Sequence, residues 1–125
     1  MLNIEEFRDY CLALPGATEA TPFDLDTLVF KVGGKIFALT SISTFSSVNL
    51  KCKPELAMQL REEFDHVRPG FHMNKKHWNT VLIGTGVTVM QLREWTLHSY
   101  ESVRASLPRT SRAELELEID NRDDL

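Results

Sequence analysis

The residues of this sequence best equipped for chemistry lie close together. Between Arg68 and Thr80 the chain reads RPGFHMNKKHWNT, with one arginine, two adjacent lysines, two histidines, a phenylalanine and a tryptophan, and no carboxylate. Cations neutralise phosphates and release their counterions, while planar rings stack on exposed bases. The combination therefore points toward a polyanion. It sits in a protein that is acidic as a whole, with 14 Lys+Arg against 18 Asp+Glu and a pI near 5.5.

The overall charge hides a segregation. From Thr27 to Pro54 there is no Asp or Glu but four lysines, Lys31, Lys35, Lys51 and Lys53. From His66 to Arg93 there is again no carboxylate, and Arg68, Lys75, Lys76 and Arg93 are present. Strands disfavour Asp and Glu, but they disfavour lysine too, and here lysine is kept. After Ala113 the balance reverses, with six acids against one arginine, so residues 1–113 hold thirteen cations against twelve carboxylates. A positive surface is expected despite the net charge, because fields are screened over about 8–10 Å and local charge decides what docks.

The elements that must position these residues are legible in outline. Asn3 caps a first helix, with Glu6 three residues on and a staple of Leu2 and Phe7. Ile4, Phe7, Cys11 and Leu14 form its buried face, and Pro15-Gly16 ends it. A polar connector reaches Pro22. Thr27–Val32 and Lys35–Thr40 then flank Gly33-Gly34 as a tight hairpin. A Ser/Thr-rich loop leads to a strand at Val48–Cys52, whose alternation sets Val48, Leu50 and Cys52 against Asn49, Lys51 and Lys53.

Pro54 opens a second helix with Leu56, Leu60 and Phe64 as its stripe. The cation-rich segment follows as a loop entering a strand at Trp78–Ile83. Thr88 and Gln91 make a capping box, and Val87 and Leu92 a staple, for a third helix broken by Pro108. The acidic end, AELELEIDNRDDL, is expected to be a frayed helix. The order α-β-β-β-α-β-α, with an added terminal α, predicts an α+β domain with a mainly antiparallel sheet. It divides into one domain over residues 1–113 and an acidic tail over residues 114–125.

Other classes of function find little support. The composition, 42% hydrophobic and 26% charged, argues against wholesale disorder, and no apolar run reaches the roughly 20 residues of a membrane span. The acidic start MLNIEEFRDY does not read as a secretory signal. Cys11 and Cys52 are two thiols without CxxC spacing, expected to be reduced core residues in a cytoplasmic protein. His66, His72 and His77 lack the regular spacing and mixed ligands of a zinc site. There is no nucleophile elbow, phosphate loop or dinucleotide fingerprint. The sequence therefore predicts a non-enzymatic protein with no cofactor and no metal.

Asp65 to Val81, DHVRPGFHMNKKHWNTV, resembles the central motif of the MmcQ/YjbR family of small bacterial proteins in its Asp-x-Val-Arg-Pro start, its His-x-Asn-Lys core and its His-Trp-x-Thr-Val end. SVNLKCKPE (Ser47 to Glu55), CLALPGATE (Cys11 to Glu19) and the Leu107-Pro108 that closes the third helix extend the resemblance over most of residues 3 to 108. It implies a single α/β domain whose hairpins have been likened to a double-wing DNA-binding motif.

The wings would be the hairpin at Gly33-Gly34 and the element from Arg68 to Trp78. Phosphate contacts would fall to Lys31, Lys35, Lys51, Lys53, Lys75 and Lys76, with Arg68 reaching a groove. His72 and His77 belong to the same loop, and Trp78 and Phe71 would stack on exposed bases if the target is single-stranded, Trp78 being otherwise a core anchor at the loop junction. The alternative is an adaptor or chaperone-like module whose basic loop meets an acidic protein partner.

Overall fold

A computed structural model describes residues 2–123, with side chains as far as Leu117. The described residues form four helices and six strands. In chain order these are α1 (Ile4–Ala13), β1 (Ala17–Ala20), β2 (Thr27–Val32), β3 (Lys35–Ser41), β4 (Ser47–Lys51), α2 (Pro54–Glu63), β5 (Val67–Pro69), β6 (Trp78–Leu82), α3 (Val89–Ser106) and α4 (Arg109–Asp123). The strands make one sheet in the order β1-β2-β3-β4-β6-β5, antiparallel throughout. The α+β class with an antiparallel sheet is as the sequence predicts.

Two strands escape the sequence pattern. β1 lies in the stretch expected to be a polar connector, and three of its four residues, Ala17, Glu19 and Ala20, are poor strand formers. It pairs with β2 from Ala17↔Val32 to Ala20↔Val29, and the Arg8 guanidinium of α1 grips Glu19 through two contacts of 2.6 and 2.7 Å. That grip holds Glu19 below the ordinary carboxylate range. It also places a carboxylate in a strand, outside both carboxylate-free windows. β5 is three residues long and ends in Pro69, which an edge strand tolerates because its outward N–H needs no partner.

The expected turns and caps form. Gly33 and Gly34 both take positive φ, 57° and 80°, the geometry of the hairpin turn that suits twisted strands. Asn3 accepts the Glu6 N–H at 2.9 Å. Thr88 and Gln91 bond reciprocally at 3.0 and 3.1 Å.

All helices that touch the sheet pack on one face. Leu28, Phe30 and Val32 of β2, Val48 and Leu50 of β4 and Val81 of β6 point into this core with Phe7 and Cys11 of α1 and Leu92, Tyr100 and Val103 of α3. Rings thread through it from Phe45 to Phe7, Phe30, Phe37 and Tyr100, with centroids 5.5 to 6.4 Å apart. Each such pair adds about 0.5–1.5 kcal/mol beyond its buried area. A second cluster joins α2 to β5 through Ala57, Leu60 and Val67, with Trp95 of α3 packing on both clusters.

The register shifts by one residue at Phe30/Lys31, where Ala38 and then Ile36 face β2. Pairing of β3 with β4 ends at Ala38↔Leu50, so the Phe37 carbonyl and the Lys51 N–H lie beyond the ladder. The Ser99 hydroxyl of α3 meets both groups, accepting from Lys51 at 2.8 Å and donating to Phe37. One buried hydroxyl thus docks α3 onto the end of the sheet that carries Lys51.

α4 is a single helix through residue 113, and Leu115 is buried in the main core. The expected terminal helix is present, and its first turns are packed rather than frayed. Leu115 lies over Gly16 and Leu107 over Gly33 so closely that a Cβ at either glycine would collide with it. Truncating Leu115 should therefore be felt across the whole domain. Leu115→Ala is expected to lower unfolding stability by about 2–3 kcal/mol in urea denaturation. An unchanged midpoint would mean that α4 does not pack as described.

Candidate functional site

Strand order turns the scattered cations into one region. The turn after β2, the start of β3, the end of β4 and the loop from β5 to β6 all emerge at the same end of the antiparallel sheet. That end collects Lys31, Lys35, Lys51, Lys53, Lys75 and Lys76. Lys51 pairs with Trp78 across β4 and β6, and Lys31 pairs with Ile36. Alternation directs Lys31, Lys51 and Trp78 away from the helices, because Phe30, Val32, Leu50 and Val81 point toward them. Lys53 stands apart from these three. It precedes α2, its N–H approaches the His98 ring of α3, and its charge joins burial in lowering the His98 pKa.

The opposite end of the sheet is anionic. Asp24 accepts from the Asp26 and Thr27 N–H groups and the Thr27 hydroxyl. Asp26 accepts from Ser41 and from the N–H and hydroxyl of Ser43. These bonds hold both carboxyls below their ordinary range. The sheet is therefore polarised along its strands, positive at the hairpin end and negative at the other.

The β5–β6 loop is anchored at both ends by side chains. At its start the Phe71 N–H donates to the Thr80 hydroxyl at 2.8 Å, Thr80 donates to Asn49 Oδ1 at 2.6 Å, and Asn49 Nδ2 returns to the Phe71 carbonyl at 3.3 Å. Asn49 and Thr80 are both buried and face each other across β4 and β6. At its end, Arg61 of α2 reaches the loop through three acceptors. Its Nε donates to Asn79 Oδ1 at 2.6 Å, and its guanidinium also donates to the Trp78 carbonyl at 3.1 Å and to the Lys75 carbonyl. Asn79 Nδ2 in turn meets the Ala57 carbonyl at 3.3 Å. Asn74 closes the turn between, its carbonyl accepting from His77 and Trp78.

This anchoring sorts the candidate residues. Lys76 is exposed at the loop tip, its N–H bonded to Asn74. Lys75 donates its ammonium to the Gly70 carbonyl at 3.0 Å and so helps to close the loop. Arg68 stands on β5 opposite Thr80, and its Nε donates to the Asp65 carbonyl at 2.7 Å. His77 is half-buried and takes the Cys52 N–H on its carbonyl at 2.7 Å. His72 is exposed with φ 57°, a left-handed conformation uncommon outside glycine. Trp78 is half-buried at the base of the loop, while Phe71 is exposed.

His66, from the same segment, is separate. It is buried against Phe64 and Trp95 and bonded to Gln91 of α3. Among the described residues no cluster of three or more His, Cys, Asp or Glu is arranged to hold a metal. Cys11 and Cys52 are free and buried, and burial raises both thiol pKa values, that of Cys52 to about 11. No helix among the described residues is long and apolar enough to cross a membrane.

Sequence reasoning missed Arg61, Asn49 and Thr80. Arg61 looks like one more surface charge on α2, and only its position opposite Trp78 reveals three acceptors. Replacing it by methionine keeps the packing of its stem and removes the guanidinium. Arg61→Met should cost about 2–3 kcal/mol, the scale of lost charge-assisted hydrogen bonds. It should also speed hydrogen exchange of the His77 and Trp78 amides relative to those of β2 and β3. Uniform exchange across the sheet would contradict this anchoring role.

The same arrangement can be set beside known proteins. A family model described as YjbR matches residues 12–102. YjbR of Escherichia coli (strain K12) is 34% identical over 112 residues, covering 89% of this chain and 95% of that protein. YbdF of Escherichia coli O157:H7 is 35% identical over 100 residues, covering 79% and 82%. Among solved structures, the Deinococcus radiodurans protein DR2400, a DUF419 domain, superposes with a TM-score of 0.85 at 36% identity, covering 91% of this chain and 88% of that one. A Pseudomonas syringae protein superposes with a TM-score of 0.70 at 26% identity, covering 81% and 98%. The stretch that the family model matches runs from within α1 into α3 and takes in all six strands, the anchored loop and the six lysines of the positive end, and by that match this chain belongs to the YjbR family.

Proposed function

We propose that this protein binds nucleic acid through the positive end of its sheet, as a non-enzymatic cytoplasmic protein. One observation carries the reading. The two carboxylate-free windows, far apart in sequence, meet in one sheet, with the β2–β3 turn and the β5–β6 loop leaving it at the same end. Three inter-strand steps separate the two hairpin axes, about 14 Å at about 4.8 Å per step. The major groove is of similar width, about 12 Å. Lys35 at the first projection and Lys76 at the second are exposed, free to meet phosphates. Two buried thiols suit a reducing compartment.

The acidic helix α4 restrains this surface. Glu114 lines the same shallow groove as Gly33 and Gly34, so an anion stands beside the first projection. A carboxylate about 10 Å from a bound phosphate costs about 0.4 kcal/mol at the dielectric of water.

Two measurements test the reading. Fluorescence anisotropy of a labelled duplex, titrated over a range of salt, should give binding whose log K falls by about 0.9 per phosphate contacted. Lys35→Ala with Lys76→Ala should reduce that slope by about 1.8. Binding to an acidic protein that ignores nucleic-acid length, with no binding to DNA even in low salt, would replace this reading with the adaptor one. Separately, Glu114→Gln should tighten DNA binding about twofold in low salt and have no effect in about 1 M salt, where the screening length is about 3 Å. Equal affinities in low salt would remove α4 from the electrostatics of the site.

A further inference from the structure

The face of the sheet away from the helices holds a cleft that the reading above does not use. It encloses about 490 Å³ between Phe23, in the connector before β2, and Phe71, in the β5–β6 loop. Leu39, Thr27, Ser47 and Asn49 form its floor. Both rings are open to solvent, Phe23 at 68% and Phe71 at 48% exposure. Each ring sits on a segment fixed from below, Phe23 by the bonds of Asp24 and Asp26, and Phe71 by Thr80 and Asn49.

We propose that this cleft receives one unpaired base of a single-stranded nucleic acid, so that the protein prefers single strands to duplex. The proposal rests on the nucleic-acid reading and names the form of its ligand. A base offers two apolar faces and a polar edge. The cleft offers two aromatic walls and a floor with hydrogen-bonding groups to spare. Asn49 Nδ2 makes one bond within the protein and has a second hydrogen to give. The Thr27 hydroxyl donates to Asp24 and can still accept. Ser47 brings a hydroxyl beside them.

The volume falls within the roughly 300–1,000 Å³ of small-molecule clefts, and base–aromatic stacking tolerates every base. Charge fixes the orientation. Lys51 stands two residues along β4 from Asn49 on the same face, about 7 Å away at strand spacing, and Lys31 holds the same relation to Val29 on β2. Phosphates flanking a bound base would lie toward these lysines and away from the carboxylates of Asp24 and Asp26.

The test uses the full chain and three labelled ligands of equal length: oligo-dT, the same backbone with abasic sugars, and a duplex. The native protein should bind oligo-dT more tightly than the other two. Phe23→Ala and Phe71→Ala should each weaken oligo-dT binding about tenfold and leave the other two within twofold. Both rings are exposed and residue 71 is held through its backbone, so the variants should fold, which a thermal melt checks. If oligo-dT and the abasic strand bind equally, or the variants lose nothing while the duplex still binds, the cleft takes no base and the charged-end reading stands without it. If none of the three ligands binds in low salt, both readings fall together.

Discussion

A sheet with helices on only one face must finish its other face by different means, and most of this structure follows from that constraint. The main core takes α1 and α3, the second cluster takes α2, and Leu115 of α4 closes the corner by Gly16. The far face has no helix to cover it. One row of cross-strand neighbours crosses that face, running from Ala20 to Val29, Leu39, Asn49, Thr80 and Arg68. It changes from apolar on one side to polar on the other. Strands that face water on one side are free to carry polar and charged groups there. Buried members of such a row must still find hydrogen-bond partners, and Asn49 and Thr80 find them in the backbone of a loop that folds over them.

That arrangement ties binding chemistry to stability. The loop from Gly70 to His77 is held in shape by hydrogen bonds from Arg61, Asn49, Thr80, Asn74 and Lys75. A buried network of this kind rigidifies what it holds only when every member is satisfied. Here the acceptors are largely main-chain carbonyls, so exposed side chains at the tip can vary while the frame persists. Lys75 shows how a residue can look like a surface charge and yet belong to the frame. The cost of ordering a basic loop is met on folding, by side chains of the domain itself.

Local signals in the sequence were enough for some elements and not for others. Caps, Gly33-Gly34, Pro54 and Pro108 act over three or four residues, and each stood where the structure has a boundary. The helical spacing of Ile4, Phe7, Cys11 and Leu14 held, and the alternation of β4 put Val48 and Leu50 in the core, but Asn49 on its other face is buried as well, under the β5–β6 loop. β1 and β5 could not be read this way, because both are edge strands formed by pairing with a neighbour rather than by their own residues. Ala17–Ala20 becomes a strand through β2 and the Arg8–Glu19 grip, and Val67–Pro69 through β6. Of the site, the cations were visible as a composition bias, but their convergence depended on the order of six strands. Phe23 gave no signal, since a lone aromatic in a polar connector reads as a loop residue until the opposite wall is known.

Net charge is a poor guide here for the same reason. The protein is acidic, yet of the carboxylates described most lie on helices or at the Asp24–Asp26 end of the sheet, Glu19 of β1 is held by Arg8, and the strands turn the opposite charge outward at one end. Over a screening length of about 8–10 Å, the field at the hairpin end is set by Lys31, Lys35, Lys51 and Lys76 together with Glu114 of α4 beside Gly33 and Gly34. Moving that helix by one turn, about 5.4 Å, would change the local field without changing the pI at all. Leu115, buried in the core over Gly16, is a contact that such a movement would have to break. Packing in the core thus bears on the electrostatics of the surface, through a residue with no polar atom in its side chain.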